Sequence, residues 1–208
     1  MKILALELSR AQGSVAWLDG ERDLFAVSFS NDRKHSGLFF ENLQLCSRQF
    51  GAPDLIVVGL GPGSYAGVRI AIAAAVGLRM ASAAKLIGRP SICALDTGVR
   101  EYCVIGDARR HSFFFARVSA GRLLEGPTLH AVAELTAKIA DSPIPVYASE
   151  SLAQFPHATV AFPSAVKLGE LARDQVDEIS GSQPLEPIYL REPHITTPKS
   201  SRPSAIIS

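Results

Sequence analysis

Gly61-Pro62-Gly63-Ser64-Tyr65-Ala66-Gly67-Val68-Arg69 is the stretch whose residue types and spacing could do chemistry. An apolar run, Leu55 to Leu60, precedes it and an Ala-rich segment, Val68 to Ala84, follows, so the pattern reads as strand, turn and helix. A helix N-terminus presents unpaired N–H groups and partial positive charge, and glycines let the backbone come close to a ligand or another chain. Gly61, Pro62, Gly63, Ser64, Gly67 and Arg69 therefore form a candidate nucleotide or anion loop. Four readings compete for it. A P-loop would need Gly-Lys-Ser/Thr, which is missing. A nucleophile elbow would place glycines two residues either side of Ser64, where Pro62 and Ala66 stand. Gly61-x-Gly63-x-x-Ala66 fits a loose dinucleotide fingerprint, but Leu86-Ile87-Gly88-Arg89-Pro90 occupies the place of the acidic residue expected about 20 positions on. The fourth reading is a turn that only packs a helix onto a sheet.

Other chemistry-bearing residues are sparse. Metal-dependent hydrolysis would need closely spaced ligands, such as two histidines one helical turn apart. The histidines are His35, His111, His130, His157 and His194, no two of them four apart, and His35 reads as a helix-entry residue. Asp107-Ala108-Arg109-Arg110 lies between two strands, either as a charged hairpin turn or as a contact for a partner or a tRNA phosphate. Arg69, in the first turn of the second helix, opposes the helix dipole and reads as paired with an anion or solvated.

The elements that must position these residues follow from patterning. Lys2 to Leu8, Ser14 to Leu18 and Leu24 to Phe29 read as strands, with Asp19-Gly20 as a hairpin turn. Ser36, as N-cap, opens a helix to Phe50. Leu55 to Leu60 is a buried parallel strand, and the Ala-rich helix follows the loop. The order β-β-β-α-β-α is not how a dinucleotide-binding half begins. A shorter version follows: strands at Tyr102–Gly106, Ser112–Val118 and around Leu123, a helix Ala131–Ala140, a strand Pro145–Ala148 and a helix Lys167–Ile179. The partition is 1–98, 99–180 and an extended tail 181–208, and the repeated order is the duplicated-lobe α/β plan of actin, hexokinase and the Hsp70 ATPase, a ribonuclease H-like fold.

With 208 residues, 47% of them hydrophobic, and a net charge of +1, the chain can build a real core and shows no basic excess of a dedicated nucleic-acid binder. Cys46, Cys93 and Cys103 lie in apolar surroundings without Cys-x-x-Cys spacing, as buried thiols of a reducing compartment, and no apolar run approaches a membrane span. Met1 to Glu7 starts as a strand and not as a signal peptide, so the expected location is the cytoplasm.

Ile3 to Ser9, Gly13-Ser14-Val15-Ala16, Arg33-Lys34-His35-Ser36, the loop Gly61 to Ile70, Asp107 to Arg110 and Pro187-Ile188-Tyr189-Leu190-Arg191 together resemble the TsaB (YeaZ) family, in order and over nearly the whole chain. The resemblance implies the actin-like fold and a non-catalytic part in making threonylcarbamoyladenosine in tRNA. The partners it implies are the metal-bearing homologue TsaD, a TsaE-type ATPase, tRNA reached through the complex and, for the chain alone, a second copy. An older name for the superfamily is glycoprotease or peptidase M22, and a stand-alone peptidase or ATPase is the alternative. Glu7-Leu8-Ser9 departs from the family's Asp-Thr-Ser, and Tyr65-Ala66 from its aromatic-Thr. No metal or cofactor is expected, with at most weak ATP or ADP binding. The helix Ser36–Phe50 is apolar over more of its circumference than one sheet face requires, and the second helix is slim. Leu38, Phe39, Leu43, Ala71, Ala74, Ala75 and Leu78 are therefore the expected partner interface.

Overall fold

The computed structural model of the chain describes residues 1–31, 37–140, 142–175 and 185–191. Strands β1 (Lys2–Glu7), β2 (Gln12–Asp19) and β3 (Arg22–Ser30) form an antiparallel meander. Every residue of β1 from Ile3 to Glu7 is buried, because this strand is covered on both faces. Helix α1 (Gly37–Phe50) leads to β4 (Leu55–Gly59), which joins β1 in parallel. The five buried residues of β4 fit the continuous apolar run read in the sequence. Helix α2 (Tyr65–Met80) then crosses to β5 (Lys85–Arg89), parallel to β4. The first sheet thus has the order β3-β2-β1-β4-β5.

A short 3₁₀ turn, Ser91–Ala94, leads into the second sheet. There β6 (Glu101–Asp107), β7 (Ser112–Ser119) and β8 (Arg122–Ala131) repeat the meander. Helix α3 (Val132–Ala140) returns to β9 (Val146–Ala148), parallel to β6, and a two-residue β10 (Thr159–Val160) closes the edge. The order β10-β9-β6-β7-β8 matches the first sheet strand for strand. The duplication expected from the sequence is therefore present, as an actin-like α/β fold whose second lobe is reduced: no helix stands between β9 and β10 where α2 stands between β4 and β5.

Three boundaries differ from the sequence reading. Helix α2 starts at Tyr65, not Val68, because the Ser64 hydroxyl accepts from Gly67 N–H at 3.1 Å and caps it there. It ends at Met80, so Lys85–Arg89 is free to pair as a fifth strand. Helix α4 (Ala165–Asp174) belongs to the back of the first sheet: Ala165 N–H donates to Ser14 Oγ at 2.9 Å, and Leu168 and Ala172 fill a core with Ile3, Ala5, Leu18 and Val57. The Ser36 cap, His35 and the end of the helix expected at Ile179 lie outside the described residues. On the other face of the first sheet, α1 and α2 share a core with Leu4, Leu6, Val15, Trp17, Ile56 and Val58. All three cysteines are buried free thiols, and burial pushes Cys46 and Cys93 up to about 12.

Candidate functional site

The glycine loop sits where β1, β4 and β5 end, at the carboxyl edge of the parallel strands, the edge at which open α/β sheets hold ligands. What its glycines face, however, is protein. A Cβ on Gly63 would lie 2.0 Å from the Ser9 carbonyl oxygen, and one on Gly67 would lie 2.1 Å from that of Leu8. Gly61 adopts φ +90°, a left-handed conformation that glycine takes without steric cost, and the Gly61–Pro62 bond is cis. The loop's donors are also engaged. Gly61 N–H donates to Ser91 Oγ at 2.9 Å and Ser64 N–H to the Ser9 carbonyl at 2.7 Å. In return Ser91 N–H donates to the Gly61 carbonyl at 2.8 Å. The loop joins the turn after β1, the 3₁₀ turn and helix α2 into one packed unit. Of the four readings, the packing turn is the one this geometry supports.

Glu7 lies beneath the loop, fully buried. Its Oε1 accepts from Ser9 N–H at 2.6 Å, while Oε2 and Ser9 Oγ have no hydrogen-bond partner among the described residues. Desolvation outweighs the hydrogen bonding and holds the Glu7 carboxyl above the usual carboxylate range. Arg10 runs from this point toward the second lobe, its guanidinium 5.4 Å from the Phe114 ring centre and in the field of Glu150 and Glu7. Nε of Arg10, two nitrogens of Arg89 and Ser149 Oγ are further buried atoms without a partner. Arg10, Arg89, Ser149 and Glu150 are residues the sequence reading missed. Nothing in their spacing marks them; each follows or ends a strand, and Arg10 meets the field of Glu150 across the two lobes.

Arg69 is exposed, and its partners among the described residues are tyrosines and not carboxylates. Its guanidinium donates to Tyr65 Oη at 3.0 Å and lies 5.1 Å from that ring's centre, and Tyr189 stacks on Tyr65 at 5.4 Å. The stretch 185–191 runs without regular structure from the loop to the second lobe. Ile188 N–H donates to the Leu60 carbonyl at 2.8 Å, and Arg191 donates to the Ala108 carbonyl (3.2 Å), the Arg109 carbonyl (3.4 Å) and Ser112 Oγ (2.8 Å). Two motifs far apart in sequence thus meet: the late Pro187–Arg191 stretch clamps the Asp107–Arg110 turn.

The expected interface residues divide. Phe39, Leu43, Ala71 and Ala75 are buried in the first core, and Ala74 and Leu78 pack partly against it. The first four are corrected from partner contacts to core residues: they fall on the arcs of α1 and α2 that meet the sheet, opposite exposed polar residues such as Glu41, Gln44 and Arg48. Leu38 and Leu45 (57% exposed) lie along one flank of α1 and Phe40 (49%) along the other, with the exposed polar residues Glu41, Gln44 and Arg48 between them, while α2 exposes Val76 and Met80 (84%). Among the described residues no three His, Cys, Asp or Glu side chains gather as metal ligands, and no helix is long and apolar enough to cross a membrane.

Comparison with known proteins adds the family. The protein from Pseudomonas aeruginosa described as similar to peptidase YeaZ superposes with a TM-score of 0.76 at 22% identity, covering 91% of this chain and 99% of that one. YeaZ from Pseudomonas aeruginosa gives 0.71 at 21% identity with the same coverage. An uncharacterised Mycobacterium tuberculosis protein is 30% identical over 146 residues, 67% of this chain and 65% of the relative. A Mycobacterium leprae protein, also uncharacterised, is 38% identical over 80 residues, 36% of this chain. The chain spans 21% of that M. leprae relative's length and 65% of the M. tuberculosis one's, under two thirds of each. The family model described as TsaD, tRNA N6-adenosine threonylcarbamoyltransferase, matches residues 36–180. With well over half its length matched to that model and a fold shared with YeaZ, the chain belongs to the TsaD family.

Proposed function

We propose that this chain is a non-catalytic, TsaB-type subunit of the machinery that makes threonylcarbamoyladenosine in tRNA, and that it holds a metal-bearing TsaD-type homologue through the outward arcs of α1 and α2. The family and the YeaZ fold support the assignment. The observation that carries it is the exposure of Phe40, Leu45, Val76 and Met80 on the two helices that cover one face of the first sheet. Large apolar side chains left exposed on one side of a domain gain by being covered, and a homologue with similar helices offers a matching surface. A TsaE-type ATPase and tRNA would then be met by the assembled complex. In this reading the Gly61 loop holds the lobe together and does not cradle a phosphate, in keeping with its packing on Leu8 and Ser9.

Co-purification of the chain with a TsaD-type homologue, followed by titration, tests the proposal. Wild type should form a stable complex, and Phe40→Glu and Met80→Glu should each weaken it at least about tenfold, since burying an unpartnered charge costs roughly 1–3 kcal/mol or more. Complex formation unaffected by either well-folded variant would place the interface elsewhere.

A further inference from the structure

We propose that the open cavity beside the Asp107–His111 turn is a binding site for a phosphate group. The cavity has a volume of about 560 Å³, within the range of small-ligand sites. Arg109, Arg110 and His111 line it together, and their side chains make no hydrogen bond, ion pair or ring contact with described residues. All three are exposed and all three adopt left-handed backbone conformations, with φ of 65°, 53° and 59°. Consecutive non-glycine residues rarely do so, and such strain persists where the surroundings impose it. Here Arg191 imposes it, through its bonds to the Ala108 and Arg109 carbonyls and to Ser112 Oγ. A turn clamped from behind by one arginine presents two more, and a histidine, to one open space.

The two carboxylates in the cavity wall do not cancel this charge. Asp107 Oδ1 accepts from Arg109 N–H at 2.7 Å, and Glu150 Oε1 from Asp107 N–H at 3.2 Å. Glu150 also lies in the field of Arg10 behind the wall. Arg109 and Arg110 in the wall match the two carboxylates, and Arg10, in the field of Glu150, with Arg191, bonded to the back of the turn, adds two further positive charges. Guanidinium forks match phosphate oxygens bidentately, and Ser151 and Gln154 on the facing wall supply neutral hydrogen-bonding groups. Phe113 and Leu152 give an apolar surface for the organic part of a phosphorylated ligand. None of this depends on the α1 and α2 surface, so the two proposals fail separately.

Amide NMR titration of the full chain tests the site with three probes: inorganic phosphate, adenosine 5′-monophosphate and a short RNA oligonucleotide. Signals of Arg109–His111, Ser151 and Gln154 should shift saturably. Arg110→Glu should weaken binding at least about tenfold, with Arg110→Ala used instead if the charge reversal lowers the melting temperature. Arg100→Glu, at the opposite end of β6, should bind as wild type. Response to RNA alone identifies a nucleic-acid phosphate as the ligand, and response to the small probes identifies a phosphorylated metabolite; either supports the site. No saturable shift with any probe, or equal shifts in the Arg110 variant, overturns it.

Discussion

Two residues, Gly63 in the loop and Glu7 beneath it, decide whether the loop is a ligand cradle or a joint. Gly63 has only 2.0 Å between a would-be Cβ and the Ser9 carbonyl, a backbone atom that cannot rotate away. Gly63→Val should therefore cost about 3 kcal/mol or more, lowering the melting temperature by roughly 10 °C in a chain of this size. An unchanged melting curve would show that the loop does not pack as described. Glu7 gives the complementary prediction. Its folded-state pKa is raised above the ordinary 4.5 by burial. Its contribution to stability is then fully present below the unfolded value and is lost as pH rises through the folded value. Glu7→Gln should melt at or above wild type at pH 7–8 and lose this advantage as pH falls toward about 4.5. A variant that melts lower at neutral pH by as much as it does in acid would mean that the charged form of Glu7 is what the site needs. The glycine spacing was legible in the sequence, and so was Glu7 as the acid of the first motif, though not its burial. The glycines' partners, the Leu8 and Ser9 carbonyls, were not legible, since only the packing of α2 onto the turn after β1 brings them into contact.

At the scale of elements, the stretch Leu185–Arg191 acts as a strap. Leu185 packs on the first core, Ile188 bonds to the end of β4, Tyr189 stacks on α2 and Leu190 packs on the core of the second lobe. Arg191 then fixes the turn between β6 and β7. Arg191→Ala should remove these bonds, costing about 1–2 kcal/mol, and speed amide exchange in residues 107–112 while leaving residues 60–64 protected. Lysine, lacking the fork, should not restore the protection. Equal exchange in both segments would mean that the strap does not hold the turn. The sequence marks Pro187–Arg191 as a motif but gives no hint of its contacts, because an extended segment has no periodicity to show which side is covered. Regular elements were easier. The alternation in β3 and the apolar run of β4 predicted strands that the structure contains, and the short apolar stretch of β2 did so as well. β5, interrupted by Gly88 and ending in Arg89, and the two-residue β10 carry too little pattern to stand out. α4 was legible as an amphipathic helix, yet not its place on the first sheet, since its apolar stripe of Ala165, Leu168 and Ala172 would suit either lobe.

The whole molecule has two sheets of the same strand order, and only the first keeps two helices on one face. That asymmetry leaves the outward sides of α1 and α2, where Leu38, Phe40, Leu45, Val76 and Met80 are exposed among polar residues, as the surface on which the proposed partnership depends. A homologue that shares the lobe plan would bring similar helices, and so would a second copy of this chain, related by a two-fold axis that sets each arc against itself. The same surface cannot serve both at once. If the isolated chain dimerises through it, adding a TsaD-type homologue must convert homodimer to heterodimer in step with binding, and Met80→Glu must weaken both associations together. Sedimentation velocity on wild type and variant, with and without the homologue, measures both equilibria in one experiment. Loss of the homodimer with the hetero-complex intact would separate the two surfaces and confine α1 and α2 to self-association. Loss of both, with cooperative melting preserved, is the expected result. Met80 is 84% exposed in the single chain, so a charge there meets water until a partner covers it, and the penalty falls on association and not on folding.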